Sequence, residues 1–419
     1  MLNVILLGLT SLLADFSSEM VFPILPFFIQ TLGGAGVAIG LAFGIGDAVA
    51  AIFKVISGHW ADKTKKYKTF VFAGYAFSAI AKFLYPLSSS WRQILAVRPI
   101  ERIGKGFRNA PRDAILSESL SYERRDRPGS RNYESGFATK ESRRESEFSL
   151  PGRGFAFGLQ RAMDSAGAVL GAVAVLIFVF YLELDFSRIF WISAIIALFA
   201  VIPILFVKVP AQLKIASSSV GFSGLSVHLK KFIFVATVFA FANFSYAFLV
   251  LQTQSLFGDL DYKKALSLTL LLYIFFSIFD SGFSTLAGSW SDKFGRRKVI
   301  ISSYILLAVV FLGFGAISLW QPDRTWTFIF LLILFALYGL FRATVDVGQK
   351  SFVSDLSDVG IRGTALGTFE TFTGLAAIPA GLIAGLLWNL NQAFPFVYGF
   401  ALALFAALLF SMMVSKKSA

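Results

Sequence analysis

Charges, glycines and prolines cut the chain into twelve apolar stretches, at about 4–31, 36–57, 69–87, 92–112, 155–182, 187–207, 232–257, 265–287, 299–319, 326–348, 363–388 and 393–414. A helix that crosses a bilayer uses about 20 apolar residues. Backbone in lipid has to satisfy its own hydrogen bonds, so each stretch is expected to span as a helix. Twelve such helices take roughly 240 residues, which leaves short loops and one or two longer ones from a chain of 419. With 56% of residues hydrophobic and only 15% charged, water-soluble domains would be left with large apolar patches. The expected fold is an all-α polytopic membrane protein. The first stretch lacks a basic leader and is interrupted by Asp15 and Glu19, so it reads as a retained helix and not a cleaved signal peptide.

The chain has no cysteine, and its two histidines are His59 and His228. Disulfide scaffolds, thiolate zinc sites, cysteine nucleophiles and nearly all histidine-based catalysis are thereby excluded, and no enzyme activity, cofactor or metal is expected. A phosphate-binding loop is absent from the sequence, which argues against direct ATP use. The net charge of +13 reads as topogenic and not as a nucleic-acid surface. The loops on the side of the termini hold about 24 Lys and Arg, against about five opposite, at Arg92, Arg188, Lys263, Lys264 and Arg324. Both termini are therefore expected in the cytoplasm, and the short loops suggest a prokaryotic cytoplasmic membrane.

The chain divides into residues 1–208 and 230–419, joined by a Ser- and Gly-rich linker at 209–229. Within the first half, 121–152 mixes six arginines with acidic residues and reads as a solvated, disordered insertion. The halves echo each other. Gly58-His59-Trp60-Ala61-Asp62-Lys63-Thr64-Lys65-Lys66 follows the second stretch, and Gly288-Ser289-Trp290-Ser291-Asp292-Lys293-Phe294-Gly295-Arg296-Arg297-Lys298 follows the eighth, with Asp62 and Asp292 230 apart. Arg153-Gly154 and Arg362-Gly363, before the fifth and eleventh stretches, repeat at an offset of 209. Two parallel sets of six helices form the layout of a carrier with a midplane site.

On these residues the sequence resembles the major facilitator superfamily across all twelve stretches. The resemblance implies two pseudo-symmetric six-helix bundles and a cytoplasmic gate motif at Gly58, Asp62, Lys66, Gly288, Asp292, Gly295, Arg296 and Arg297, with Lys65 standing where the family has glycine. Arg98-Pro99-Ile100-Glu101-Arg102-Ile103-Gly104 is similar to a motif of the proton-coupled drug exporters, with Glu101 in place of glutamine and Arg102 in place of glycine. Gly167 to Ala172 resembles the antiporter glycine motif without its proline.

Charges inside a bilayer cost about 2.5–3.5 kcal/mol each and face a partner or water. By helical rise, Asp15, Asp47, Arg102, Asp164 and Glu370 fall near the midplane. Asp15 and Glu19 share a helical face, suited either to proton or substrate duty or to permanent ion pairs with the fourth or fifth stretch. Arg98, Arg102 and Lys105 form one basic stripe beside Glu101. Arg161 and Asp164 are placed to pair with each other, and the offset of 209 relates Arg161 to Glu370, so a closing bond between those two is a second expectation. Lys54, Arg108, Arg112, Asp113, Arg342 and Asp346 read as boundary or gate pairs. Gly36, Gly40 and Gly44 form a small-residue stripe for close helix packing or, second, a rocking interface.

The function expected is secondary active transport by alternating access. The partners are a small organic solute, protons and the lipid bilayer, with efflux favoured over uptake and a monomer as the working unit. An organic-anion carrier using the basic stripe is the alternative. A channel, a non-transporting receptor or a membrane enzyme are more distant ones.

Overall fold

The computed structural model describes residues 2–125, 153–208, 224–320, 323–358 and 361–413. Of the insertion at 121–152, the first five residues end α5 and 126–152 lie outside the described residues, as does most of the linker. The described residues form fifteen helices and no strand: α1 (Leu2–Val21), α2 (Leu25–Thr31), α3 (Gly36–Thr64), α4 (Tyr67–Lys82), α5 (Trp91–Arg125), α6 (Arg153–Phe180), α7 (Phe186–Phe199), α8 (Ile202–Leu205), α9 (Val227–Ala242), α10 (Ala247–Leu256), α11 (Tyr262–Phe294), α12 (Arg296–Trp320), α13 (Arg324–Asp355), α14 (Arg362–Leu390) and α15 (Phe394–Met413).

Three spans are broken helices. Pro23 falls between α1 and α2, Pro26 sits in the first turn of α2, and Pro203 opens α8 just after α7 stops at Phe199. In both places a proline lacks the N–H that would continue the ladder. The α9–α10 break falls at Asn243 to Tyr246. Counting α1 with α2, α7 with α8 and α9 with α10, ten spans among the described residues are long and apolar enough to cross a membrane. The other two are α4, with 16 residues, and α5, whose length holds Arg98, Glu101, Arg102, Lys105, Arg108 and Arg112. α5 nevertheless packs between α3 and α4, because its charges find partners inside the protein: Arg98 lies 4.1 Å over the Phe22 ring and Arg108 4.1 Å over that of Tyr75.

Within the first half α1 packs on α6 and α7, and α5 on α3 and α4. Within the second, α11 and α12 pack on α13, and α9 on α14 and α15. Two seams join the halves, α3 with α14 and α6 with α11. The first is backbone against backbone. A Cβ on Gly40 would stand 1.9 Å from the Gly381 carbonyl oxygen, and one on Gly381 2.2 Å from that of Gly40. Gly36 and Gly44 continue the stripe against Gly385 and Ala377.

One apolar core runs through both halves, taking in Phe27, Ile39, Phe43 and Phe190 with Phe248 and Phe396, and in the second half it continues toward the termini through Leu229, Phe352 and Phe410. Toward the termini the first half has a separate core around Leu7, Tyr67, Val71 and Ile115. There the halves meet through polar contacts such as Lys54 with Glu370 and Arg161 with Ser284.

Candidate functional site

Charged side chains collect along α1, α3, α5 and α6. Asp47 stands well inside α3, yet its side chain is 47% exposed, while it accepts a hydrogen bond from Arg102 of α5. That exposure marks a hollow, open space beside Asp47. Asp15 of α1 lies within electrostatic range of Glu19, Asp164, Lys82 and Lys105. Asp15 is therefore the common charged neighbour of these four groups.

Glu19 reaches across the halves. Its carboxylate accepts a 2.5 Å hydrogen bond from the Tyr273 hydroxyl of α11. The Tyr246 ring lies 5.5 Å from that of Tyr273, and Phe43 lies 5.9 Å from Tyr246. Phe43, Tyr246 and Tyr273 thus form an aromatic row that runs from the first half into the second beside Glu19. Asp164 accepts from Gln160 at 2.7 Å. It makes no bond to Arg161, which donates to Ser284 of α11 at 3.4 Å.

The basic stripe of α5 divides. Arg98 and Glu101 are 2% and 1% exposed and pair with each other at 3.0 Å, with Ser78 donating to Glu101. The Arg98 guanidinium also lies 5.1 Å from the Phe43 ring centroid. Arg102 turns to Asp47, and Lys105 lies 5.9 Å from the Phe22 ring centroid, in the electrostatic company of Asp15. Nearer the termini, Arg112 pairs with Asp113 at 3.1 Å and donates to Ser11 at 3.0 Å. In the second half, Arg342 interacts with Asp346 and Asp280.

The proposed Arg161–Glu370 bond is absent from this conformation. Glu370 accepts instead from Lys54 of α3 at 2.7 Å and lies 3.7 Å from Lys350. Lys54 thereby leaves the boundary role read from its depth and becomes a tie between the halves. The long Lys54 side chain reaches across the tight α3–α14 seam, whereas Arg161 belongs to the other seam.

The two gate-motif hairpins differ. Gly295 turns the chain with φ +87°, and Lys65 does the same work with φ 58°, its N–H bonding to the Ala61 carbonyl. In the first copy Asp62 accepts from Tyr67 at 2.9 Å, Gly58 packs near Ala110, and Lys66 is exposed. In the second, Arg296 bridges Asp292, Asp355 and the Ser351 carbonyl, while Arg297 donates to the Ser411 carbonyl. Gly288 has open space about it.

Sequence reasoning passed over Tyr273, Lys82 and Asp280. Lys82 is 3% exposed and donates to Ser17 at 2.6 Å and Ser18 at 3.0 Å. Lys82 and Asp280 carried the same signal as Asp15, a charge inside an apolar stretch. Tyr273 carried none, since a tyrosine among apolar residues reads as packing.

The Major Facilitator Superfamily profile matches residues 7–132 and 233–418, most of both halves. The chain belongs to this superfamily. An uncharacterized MFS-type transporter of Methanocaldococcus jannaschii is 41% identical to it over 410 residues, 97% of this chain and 94% of that one. Multidrug resistance protein 1 of Bacillus subtilis is 29% identical over 126 residues, 30% of each chain. The solved structure of the nucleoside transporter NupG superposes with a TM-score of 0.75, covering 99% of this chain and 98% of its own at 16% identity. At that identity the likeness is one of fold alone. This facilitator is accordingly a multi-pass membrane transporter, moving a small solute by secondary transport, and not an enzyme.

Proposed function

We propose that this facilitator is a proton-coupled carrier of a small organic solute, with Glu19 as the group whose charge controls the contact between its halves. The observation that supports this most directly is the Glu19–Tyr273 hydrogen bond between α1 and α11. An ionised carboxylate makes such a bond strong, about 1.5–3 kcal/mol. A proton on Glu19 removes the charge that holds the tyrosine, so proton uptake loosens the two halves at the level of the hollow. Asp15 and Asp164 stand by as acceptors, while Arg102 and Lys105 bind anionic parts of the solute.

In this reading residues 1–208 and 230–419 move as two lobes about the hollow. The protein works as a monomer in a prokaryotic cytoplasmic membrane with its termini in the cytoplasm. The partial likeness to a multidrug resistance protein favours efflux.

Proteoliposomes under an imposed pH gradient test the proposal. Transport by the wild type should rise with the gradient. Glu19→Gln should transport at a rate indifferent to the gradient, and Tyr273→Phe should keep coupling but shift its pH midpoint. Gradient-driven transport that persists in Glu19→Gln would remove Glu19 from the proton path. The organic-anion reading rests on Lys105, which faces Asp15 without an ion pair among the described residues. Anion uptake that ignores the gradient and is lost in Lys105→Ala would favour it instead.

A further inference from the structure

On the lipid side of the first half, α4 packs on the broken span α7–α8 and leaves a groove along the contact. The groove between them has a volume of about 300 Å³, with Phe72, Ala76 and Ile80 on one wall and Leu198, Ile202 and Leu205 on the other. It flanks the interruption after Phe199, where the helix restarts at Ile202 with Pro203. Every lining residue is apolar, so water entering the groove would find no hydrogen-bond partner. Ile80 is 63% exposed and Leu205 55%, which opens the groove sideways to the bilayer. Hydrocarbon is the occupant that suits it.

The end of the groove toward the termini is cationic. Lys68, one helical turn before Phe72, donates to the Leu205 carbonyl at 2.7 Å. An ammonium has three N–H donors, and two remain for another acceptor. Lys65 and Lys66 on one side of Lys68, and Lys208 just beyond Leu205, are exposed.

We propose that the groove between α4 and α7–α8 binds an anionic phospholipid from the leaflet on the side of the termini, with one acyl chain in the groove and the phosphate on Lys68. Basic pockets between spanning helices recognise such headgroups. The site is independent of the transport hollow.

The full chain, extracted from vesicles of equal phosphatidylglycerol and phosphatidylcholine, is weighed by native mass spectrometry. The wild type should retain one phosphatidylglycerol, preferred over phosphatidylcholine by about fivefold, the effect of one cation at a membrane surface. Lys68→Gln should still hold a lipid but lose the preference. Val201→Phe, which fills the groove from the α7–α8 wall, should hold none, and Ala76→Trp fills the groove from the other wall should the first variant fail to fold. Equal retention of the two lipids by the wild type, or undiminished retention in a folded groove-filling variant, overturns the proposal.

Discussion

Lys65 occupies the left-handed region at φ 58°, where a side chain costs about 1–2 kcal/mol. The second hairpin avoids that cost with Gly295. Lys65→Gly should therefore raise thermal stability by about 0.5–1 kcal/mol once the extra chain entropy of glycine is subtracted, and an unchanged melting temperature would show that the turn is not strained. On the opposite rim, the hydrogen bond and charge of Arg324 hold the Asp259 carboxyl below its ordinary value. Its contribution is full above the range of an ordinary aspartate and disappears as pH falls through the depressed value. Asp259→Asn should melt slightly below the wild type at neutral pH and with it in acid, a convergence that melting curves across pH would show. The Lys54–Glu370 pair is partly exposed, at 28% and 17%, so screening reduces its worth. Its removal in Glu370→Gln should alter the rate at which the halves exchange more than it alters stability. Neither this pair nor the Glu19–Tyr273 bond could be read from sequence spacing, because each joins residues more than 250 positions apart.

At the level of elements, the stripe Gly36, Gly40, Gly44 was legible as a close-packing face, but its partner was not. The partner is α14, and the approach is so close that neither Gly40 nor Gly381 has room for a methyl group. Gly40→Ala should cost about 1–3 kcal/mol as overpacking, or force the seam open. A fall in melting temperature of the purified protein checks this, and the same substitution at Gly288, where nothing lies within 4 Å, should be nearly silent. The charged helix α5 is the element on which hydropathy misleads. Its stripe reads as one surface, yet the helix is enclosed on several sides, so Arg98 turns inward to Glu101 while Arg102 turns to Asp47. Periodicity places residues on a face and leaves open which neighbour that face meets.

At the scale of the whole molecule, one core is shared by both halves and a separate one belongs to the first half at the end of the termini, so the two ends can be probed apart. Since the chain has no cysteine, engineered pairs report on this without background. Glu183→Cys with Lys263→Cys replaces an ion pair of 2.8 Å between the halves at the end away from the termini. Val55→Cys with Gly367→Cys tests the seam at the other end, where a Cβ on Gly367 would lie 3.4 Å from Val55. Alternating access requires that solute or a pH step change the two cross-linking rates in opposite directions, and parallel changes would exclude rocking. The spans, their number and the duplication follow from the sequence alone, because lipid forces backbone to satisfy itself locally and a 20-residue apolar run can do so in only one way. Which charges neighbour Asp15, and that Tyr273 holds Glu19 while Lys54 holds Glu370, was decided by tertiary packing. A side chain's partner depends on how helices distant in sequence lie against each other, and no local period encodes that.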